Sequence, residues 1–350
     1  MKLKILDLFS GVGGLSLGFR NEGFEIILAN EKNKEIATSF EKNHKKTKMI
    51  VSDITKLDIE KTFRKYKSSI DGIIGGPPCQ GYSQKGQRKT ILDERNYLFH
   101  HFYKAVNYIK PRFFVMENVP TLLTAESGHF KNEILELFGS IGYTLSLKTL
   151  NASNFGVPQR RRRAFVIGSN SVRIIEMPKP NNKKVTIWDA ISDLAFLDSG
   201  EGQFEQKYRF EPQSLYQEEM RKNSNLLYNH KATNHSPVTL ERLAMIPPNG
   251  GKEHLPEEHL TKSIYSGTWS RMKKDGTAVT ITTRFDTPSS GEFTHPVLNR
   301  AITIREAARL QSFPDDYIFY GTKKSKMKQV GNAVPPILAE YIASAIKKQI

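Results

Sequence analysis

The feature that most restricts this chain is an alternation along its first 168 residues. Short apolar runs at Leu3–Leu8, Glu25–Ala29, Met49–Val51, Ile70–Ile74 and Arg112–Met116 take turns with helical patterns at Gly14–Glu22, Lys34–Asn43, Tyr97–Tyr108 and Phe130–Phe138. Thr144–Thr149 and Arg163–Gly168 add two more strand-like segments. This β/α alternation predicts an α/β fold, a mostly parallel sheet with helices on both faces. In such sheets ligands gather at the carboxyl ends of the strands. The pattern stops near Ser169. Pro178, Pro180, Asn181 and Asn182 read as a linker, and the next hundred-odd residues are irregular, with a strong turn at Pro247–Gly251. Helical pattern returns at Ile304–Gln311 and Pro336–Lys348. The expected division is a large domain at 1–168, a smaller irregular one at 169–324 that includes a helix at 300–312, and a segment at 325–350 returning to the first.

Charge narrows the partners. Fifty-two Lys and Arg against 36 Asp and Glu leave a net charge of +16, which favours a polyanion through steering and counterion release. One cysteine excludes an intrachain disulfide framework and zinc-ribbon patterns. The opening Met1-Lys2-Leu3-Lys4 imitates a secretory signal, but Asp7 and the glycines at 11, 13 and 14 interrupt the apolar stretch too early. No run approaches the roughly 18 apolar residues of a membrane span. The expectation is a soluble, cytoplasmic protein with no membrane partner and no metal.

Several segments carry chemistry. Asp7–Gly14 (DLFSGVGG) is a strand ending in a glycine turn that opens a helix, although Ser16 stands where a dinucleotide fingerprint has its third glycine. Glu31 ends the second strand and Asp53 follows the third. Together they outline a nucleoside site. In Gly75–Gly81 (GGPPCQG) the sole cysteine, Cys79, follows two glycines and two prolines, where neither strand nor helix continues. A thiol on a loop at that edge is placed for nucleophilic work. Glu117 sits where the buried strand Phe113–Met116 emerges, as a candidate proton donor. In Gln159–Arg163, period-two alternation puts Gln159, Arg161 and Arg163 on one side and Arg160 and Arg162 on the other. Gln329–Pro336 reads as a polar glycine turn before a helix.

Taken in order, these segments resemble the bacterial DNA cytosine-5 methyltransferases nearly end to end. The cofactor turn is matched by Asp7–Gly14, the nucleophile loop by Pro77-Pro78-Cys79-Gln80, and the proton-donor segment by Glu117-Asn118-Val119. The Gln-x-Arg-x-Arg block is matched by Gln159, Arg161 and Arg163, and the last two blocks by Arg305–Gln311 and Gly331–Pro335. The resemblance implies a Rossmann-like S-adenosylmethionine-dependent methyltransferase sheet with a second, smaller target-recognition domain. It implies a catalytic set of Cys79, Glu117, Asn118, Arg161 and Arg163. It also implies a donor pocket in which Phe9 stacks on the adenine, Glu31 grips the ribose and Asp53 binds the adenine edge, with Gly11, Gly13, Pro77 and Asn332 around them. Double-stranded DNA is the implied partner, met by Gln80, Ser83, Gln159, Arg271, Thr280 and Arg284. Ala278–Thr282 is similar to the family's short recognition signature, and Arg271 and Arg284 flank it, each able to read a guanine or grip a phosphate. A monomer is implied, as is functional pairing with a cognate restriction endonuclease. Three rivals compete. A tRNA enzyme of the same fold usually carries a Cys-Phe-Thr triplet, which is missing here. An inactive DNA-binding relative is disfavoured by the intact Cys79, Glu117 and Arg163. A nicotinamide oxidoreductase is disfavoured by the missing third glycine.

Overall fold

Apolar residues at every position of Ile5–Leu8 except Asp7, and throughout Phe113–Met116, leave no polar face, so these strands belong inside a sheet covered on both sides. The computed structural model describes residues 2–78, 98–181, 183–263 and 266–350. Its elements begin β1 (Lys4–Leu8), α1 (Gly14–Asn21), β2 (Glu25–Glu31), α2 (Lys34–Asn43), β3 (Lys48–Val51), α3 (Ile59–Phe63), β4 (Gly72–Gly75) and α4 (Phe99–Ile109). They continue with β5 (Phe113–Asn118), α5 (His129–Ser140), β6 (Thr144–Asn151) and β7 (Arg162–Ser169). The seven strands form one sheet in the order β3-β2-β1-β4-β5-β7-β6. The pairs among β1 to β5 are parallel, whereas β7 runs antiparallel to both β5 and β6.

Strand order reverses between β1 and β4, whose ends are in register at Leu8 and Gly75. A crevice opens at such a switch point because the connections on its two sides leave in opposite directions. One face of the sheet is sealed by an aromatic cluster in which Phe114 lies 4.4 Å from Phe138 and 5.8 Å from Phe102, ring centre to ring centre. Tyr143 is buried there and donates its hydroxyl to the Pro111 carbonyl at 2.6 Å. A C-terminal helix, Pro336–Lys347, returns to pack on α1, where Asn21 donates to Glu340 at 2.6 Å and Lys347 to the Glu22 carbonyl at 2.7 Å.

The described residues divide into two compact units, the first Met1–Asn151, Arg162–Pro180 and Pro336–Ile350, the second Ala152–Arg161 and Asn181–Pro335. The second holds α6 (Ile187–Ile191), β8 (Gly202–Gln206), α7 (Leu215–Arg221), β9 (Leu227–Lys231), α8 (Pro237–Met245), α9 (Ile304–Leu310) and α10 (Lys323–Asn332). The segment read from sequence as a glycine turn at Gln329–Pro336 is therefore helical as far as Asn332. Thr322 caps that helix by accepting from the Ser325 amide.

With so little ladder, the second unit leaves many loop carbonyls in need of donors, and buried arginines supply them. Arg305 donates to the carbonyls of Tyr228, Pro314 and Tyr317. Arg300 makes a two-pronged pair with Glu306 at 2.8 and 2.7 Å and also holds the Leu197 and Ala301 carbonyls. Arg309 uses all five N–H groups, on both oxygens of Asp193, both oxygens of Asp315, and the Ala190 carbonyl. Replacing Arg309 with Met leaves two buried carboxylates facing each other. The expected destabilisation is about 3–5 kcal/mol, read as a drop in the midpoint of chemical denaturation.

Candidate active site

The carboxyl edge of the sheet collects the first-unit side chains singled out above. β1 delivers Phe9, whose φ of 55° lies in the left-handed region, followed by Gly11 and Gly13 with φ of 55° and 94°. A non-glycine residue at positive φ is strained and persists only where its surroundings impose it. Gly13 is required as glycine, because a Cβ there would meet His44 Nε2 at 2.7 Å and the Phe40 ring at 2.8 Å. The turn is pinned from β2: one Glu31 oxygen accepts from the Gly11 amide at 3.1 Å, the other from the Asn33 amide at 2.8 Å. Burial pushes the Glu31 carboxyl up, while those amides pull against it.

Asp53 follows β3 and caps the short turn Ile54–Lys56 through one oxygen, accepting from the Thr55 amide at 3.1 Å and its hydroxyl at 2.9 Å. The Thr55 amide holds this carboxyl below its ordinary value. Two acids at adjacent strand ends beside a left-handed turn fit the hydroxyls and ring edge of a nucleoside. Among the described residues no group of three or more His, Cys, Asp or Glu is arranged to hold a metal ion.

Because β7 runs against β5, its first residues arrive where β5 ends, with Asn118 opposite Ala164 and Glu117 opposite Phe165. Arg163 Nε thereby reaches Glu117 Oε1 at 2.9 Å, with both side chains largely buried. Burial draws the Arg163 guanidinium down and the Glu117 charge opposes this. Asn118 Nδ2 donates to the Pro77 carbonyl at 2.8 Å, tying the end of β5 to the segment leaving β4. Pro77 and Pro78 bring the chain to this edge; Cys79, Gln80 and Ser83 lie outside the described residues.

Three residues support the turn, and two of them, Asn30 and His44, the sequence did not flag. Asn30, buried, donates to the Ile50 and Ser52 carbonyls at 3.0 and 2.9 Å and so fixes the approach to Asp53. His44 stacks on Phe40 at 4.3 Å, and its ring hydrogen-bonds the Gly13 backbone. Burial pushes His44 down to about 3, so it is neutral near pH 7. Ser16, where the dinucleotide fingerprint has glycine, donates its hydroxyl to Asp7 at 2.6 Å.

In the second unit two residues expected at the DNA, Arg271 and Gln159, are buried within the fold. Arg271 is buried and spends all five N–H groups on the carbonyls of Leu243, Ile246, His295 and Leu298 and the Asn299 amide oxygen, leaving none for a base. Gln159 is fully buried too, its amide committed to Leu310, Gln311 and Ile281. Arg161, expected among the catalytic groups, is enclosed within this unit and bonded to the Ile281 and Gly331 carbonyls. Arg284 is exposed, Thr280 is half-buried, and Asn332 is the exposed last residue of α10. The alternation from 159 to 163 holds in its burial: Gln159 and Arg161 inward, Arg160 and Arg162 outward.

Five parallel strands followed by an antiparallel β7 inserted before β6 form the Rossmann-like sheet of S-adenosylmethionine-dependent methyltransferases. Residues 3–348 match the C-5 cytosine-specific DNA methylases, and the chain belongs to that family. It is similar to the Type II methyltransferase M.DdeI of Desulfomicrobium norvegicum, 38% identical over 98% of this chain and 88% of the relative. It is also similar to the Type II methyltransferase M1.HphI of Haemophilus parahaemolyticus, 37% identical over 99% of this chain and 87% of the relative. Among solved structures, a DNA modification methyltransferase encoded within an E. coli prophage superposes with a TM-score of 0.80 at 30% identity, covering 99% of both chains.

Burial also sets a pH dependence. Asp7, enclosed beneath the turn, is pushed up to about 8. Between about pH 4 and 8 the folded protein therefore holds a proton that the unfolded chain has released, so this group's contribution to stability is lost as pH rises through that window. Asp7→Asn removes the linkage. Its melting temperature relative to wild type is expected to climb from pH 6 to pH 9, as a thermal-denaturation series at those pH values will show.

Proposed function

We propose that this enzyme transfers a methyl group from S-adenosyl-L-methionine to carbon 5 of a cytosine flipped out of a specific double-stranded DNA sequence, as the modification partner of a restriction endonuclease. The observation that carries the reading is the Glu117–Arg163 pair at the end of β5, tied through Asn118 to the Pro77-Pro78 segment that leads into Cys79. The relatives' description as Type II methyltransferases supports the restriction-modification part.

When bound, the donor supplies an electrophilic methyl on a sulfonium. Carbon 5 of cytosine is too weak a nucleophile to take it unaided. The Cys79 thiolate adds to carbon 6, forming a C–S bond and moving an electron pair towards N3 and carbon 5. Glu117 stabilises the charge at N3 by a proton or hydrogen bond. Arg163 orients the Glu117 carboxyl group through one oxygen, leaving the other to act as the acid, and faces the O2 edge of the base, where its charge favours the thiolate. Once carbon 5 is substituted, a base takes its proton, that electron pair re-forms the bond between carbons 5 and 6, and the C–S bond breaks to release the Cys79 thiolate. None of this is possible inside the stack, so the base must leave it. Phe9, Gly11, Gly13, Glu31, Asp53 and Pro77 are the proposed donor-binding residues of the first unit; Asn332 keeps its proposed donor role. Gln80, Ser83, Thr280 and Arg284 remain the proposed DNA contacts, within a division of labour that puts chemistry in the first unit and base reading in the second.

Incubation with methyl-labelled donor and either duplex DNA or tRNA tests the substrate: label is expected in DNA cytosine, and label in tRNA alone overturns the reading. Glu117→Gln keeps the shape but not the acid, and single-turnover rates are expected to fall on the order of 10²–10⁴-fold with donor affinity unchanged. Arg284→Ala is expected to cost about 1–3 kcal/mol at one base pair, visible as relaxed preference in bisulfite maps. Uniform weakening on every sequence would make it a phosphate contact instead.

A further inference from the structure

The recognition segment Ala278–Thr282 belongs to no sheet, yet its backbone is held as firmly as a strand. Ala278 exchanges bonds with the preceding block, its amide on the Pro158 carbonyl at 3.0 Å and its carbonyl on the Arg160 amide at 2.8 Å. Both backbone groups of Ile281 are met by side chains. Its amide donates to Gln159 Oε1 at 2.8 Å, and its carbonyl accepts from Arg161 Nη1 at 3.2 Å. The Thr280 hydroxyl closes the loop on the Arg160 carbonyl at 2.9 Å.

The far ends of both side chains reach helical backbone. Arg161 Nη2 donates to the Gly331 carbonyl at 2.9 Å, and Gln159 Nε2 to Gln311, which itself donates to the Val330 carbonyl at 2.7 Å. The segment lies so close to this backbone that a Cβ on Gly331 would stand 2.2 Å from the Thr282 carbonyl oxygen. Only a side chain with several fixed donors can span two carbonyls in this way, and lysine, a single flexible point charge, cannot.

We infer that Arg161 is a positioning residue for target recognition: it fixes the backbone that presents Thr280, and sequence selectivity depends on it although it touches no base. The inference rests on the proposed reading of Ala278–Thr282 as a recognition element. It separates Arg161 from Arg163, two positions along, whose guanidinium sits on Glu117 at the reacting edge.

The experiment compares wild type with Arg161→Lys, Gln311→Met and Thr280→Val. The target is first mapped by bisulfite sequencing of plasmid DNA methylated by the wild type. Three quantities are then measured for each protein: discrimination (the ratio of kcat/KM on the target duplex to that on a duplex changed at one base pair), the single-turnover rate at saturating target duplex, and donor affinity. Wild-type discrimination is expected to be roughly 5- to 150-fold per base pair. In Arg161→Lys it falls towards unity, while the single-turnover rate changes by less than the discrimination does. Gln311→Met, which removes the outer anchor and leaves Arg161 in place, shows the same loss to a smaller degree, and decides the matter should Arg161→Lys not fold. Intact discrimination with a collapsed single-turnover rate in Arg161→Lys would overturn the inference and put Arg161 at the reacting base. Lost discrimination in Thr280→Val alone defeats the positioning role but keeps the segment as the reader. Unchanged discrimination in all three variants removes the recognition reading itself.

Discussion

The ion pair between Arg163 and Glu117 exists because β7 enters the sheet against the direction of β5. In a wholly parallel sheet every strand brings only its final residues to the active edge. Reversing one strand brings its first residues there instead, so an arginine that opens β7 lands 2.9 Å from the glutamate that closes β5. Two groups far apart in sequence then share a partly dry edge, where their interaction is stronger than at a wet surface. Asn118, one residue on, uses the same strand end to hold the Pro77 carbonyl. The geometry of this strand-end edge is thus set by register, in strands too buried to slip.

The second unit solves a different problem. Its loops expose many carbonyls to the interior with few ladder partners, and each needs a donor. Arg161, Arg271, Arg300, Arg305 and Arg309 meet that need from fully or almost fully buried positions. Buried ion pairs such as Arg309 between Asp193 and Asp315 add little net stability over an apolar packing. What they give an irregular unit is one arrangement in which buried carbonyls and carboxylates find their donors. The proposed recognition surface, made of loops, needs that uniqueness, since a base reader displaced by an ångström reads nothing.

Much of the first unit was legible in the sequence because its strands are apolar and its helices periodic. α2 was expected at Lys34–Asn43 and lies there; β5 was expected from Arg112 and runs Phe113–Asn118. Glu31, Asp53 and Glu117 could be placed at strand ends because strand ends are where apolar runs stop. The second unit was not legible in the same way. α6, at Ile187–Ile191, is too short to show a period, and α10 has a polar sequence, KKSKMKQVGN, that reads as loop. Arg271 shows the limit most clearly. A basic residue in a basic region reads as a DNA contact, and nothing local distinguishes a guanidinium that faces solvent from one that collects loop carbonyls. His44 and Asn30 were invisible because they support the glycine turn and its neighbouring strand end through contacts that depend on the tertiary fold.

We propose that the strand-end edge holding Glu117, Arg163 and the Pro77-Pro78 segment performs covalent catalysis through Cys79. It is tested most directly by offering the enzyme duplex DNA with 5-fluorocytosine at the target position, together with donor. Fluorine at carbon 5 cannot leave as a proton does, so the C–S bond to Cys79 persists. The expected result is a denaturation-resistant protein–DNA adduct whose mass includes the transferred methyl group, formed by the wild type and not by Cys79→Ser. An adduct formed equally by Cys79→Ser, or normal methylation of ordinary DNA by that variant, would contradict it.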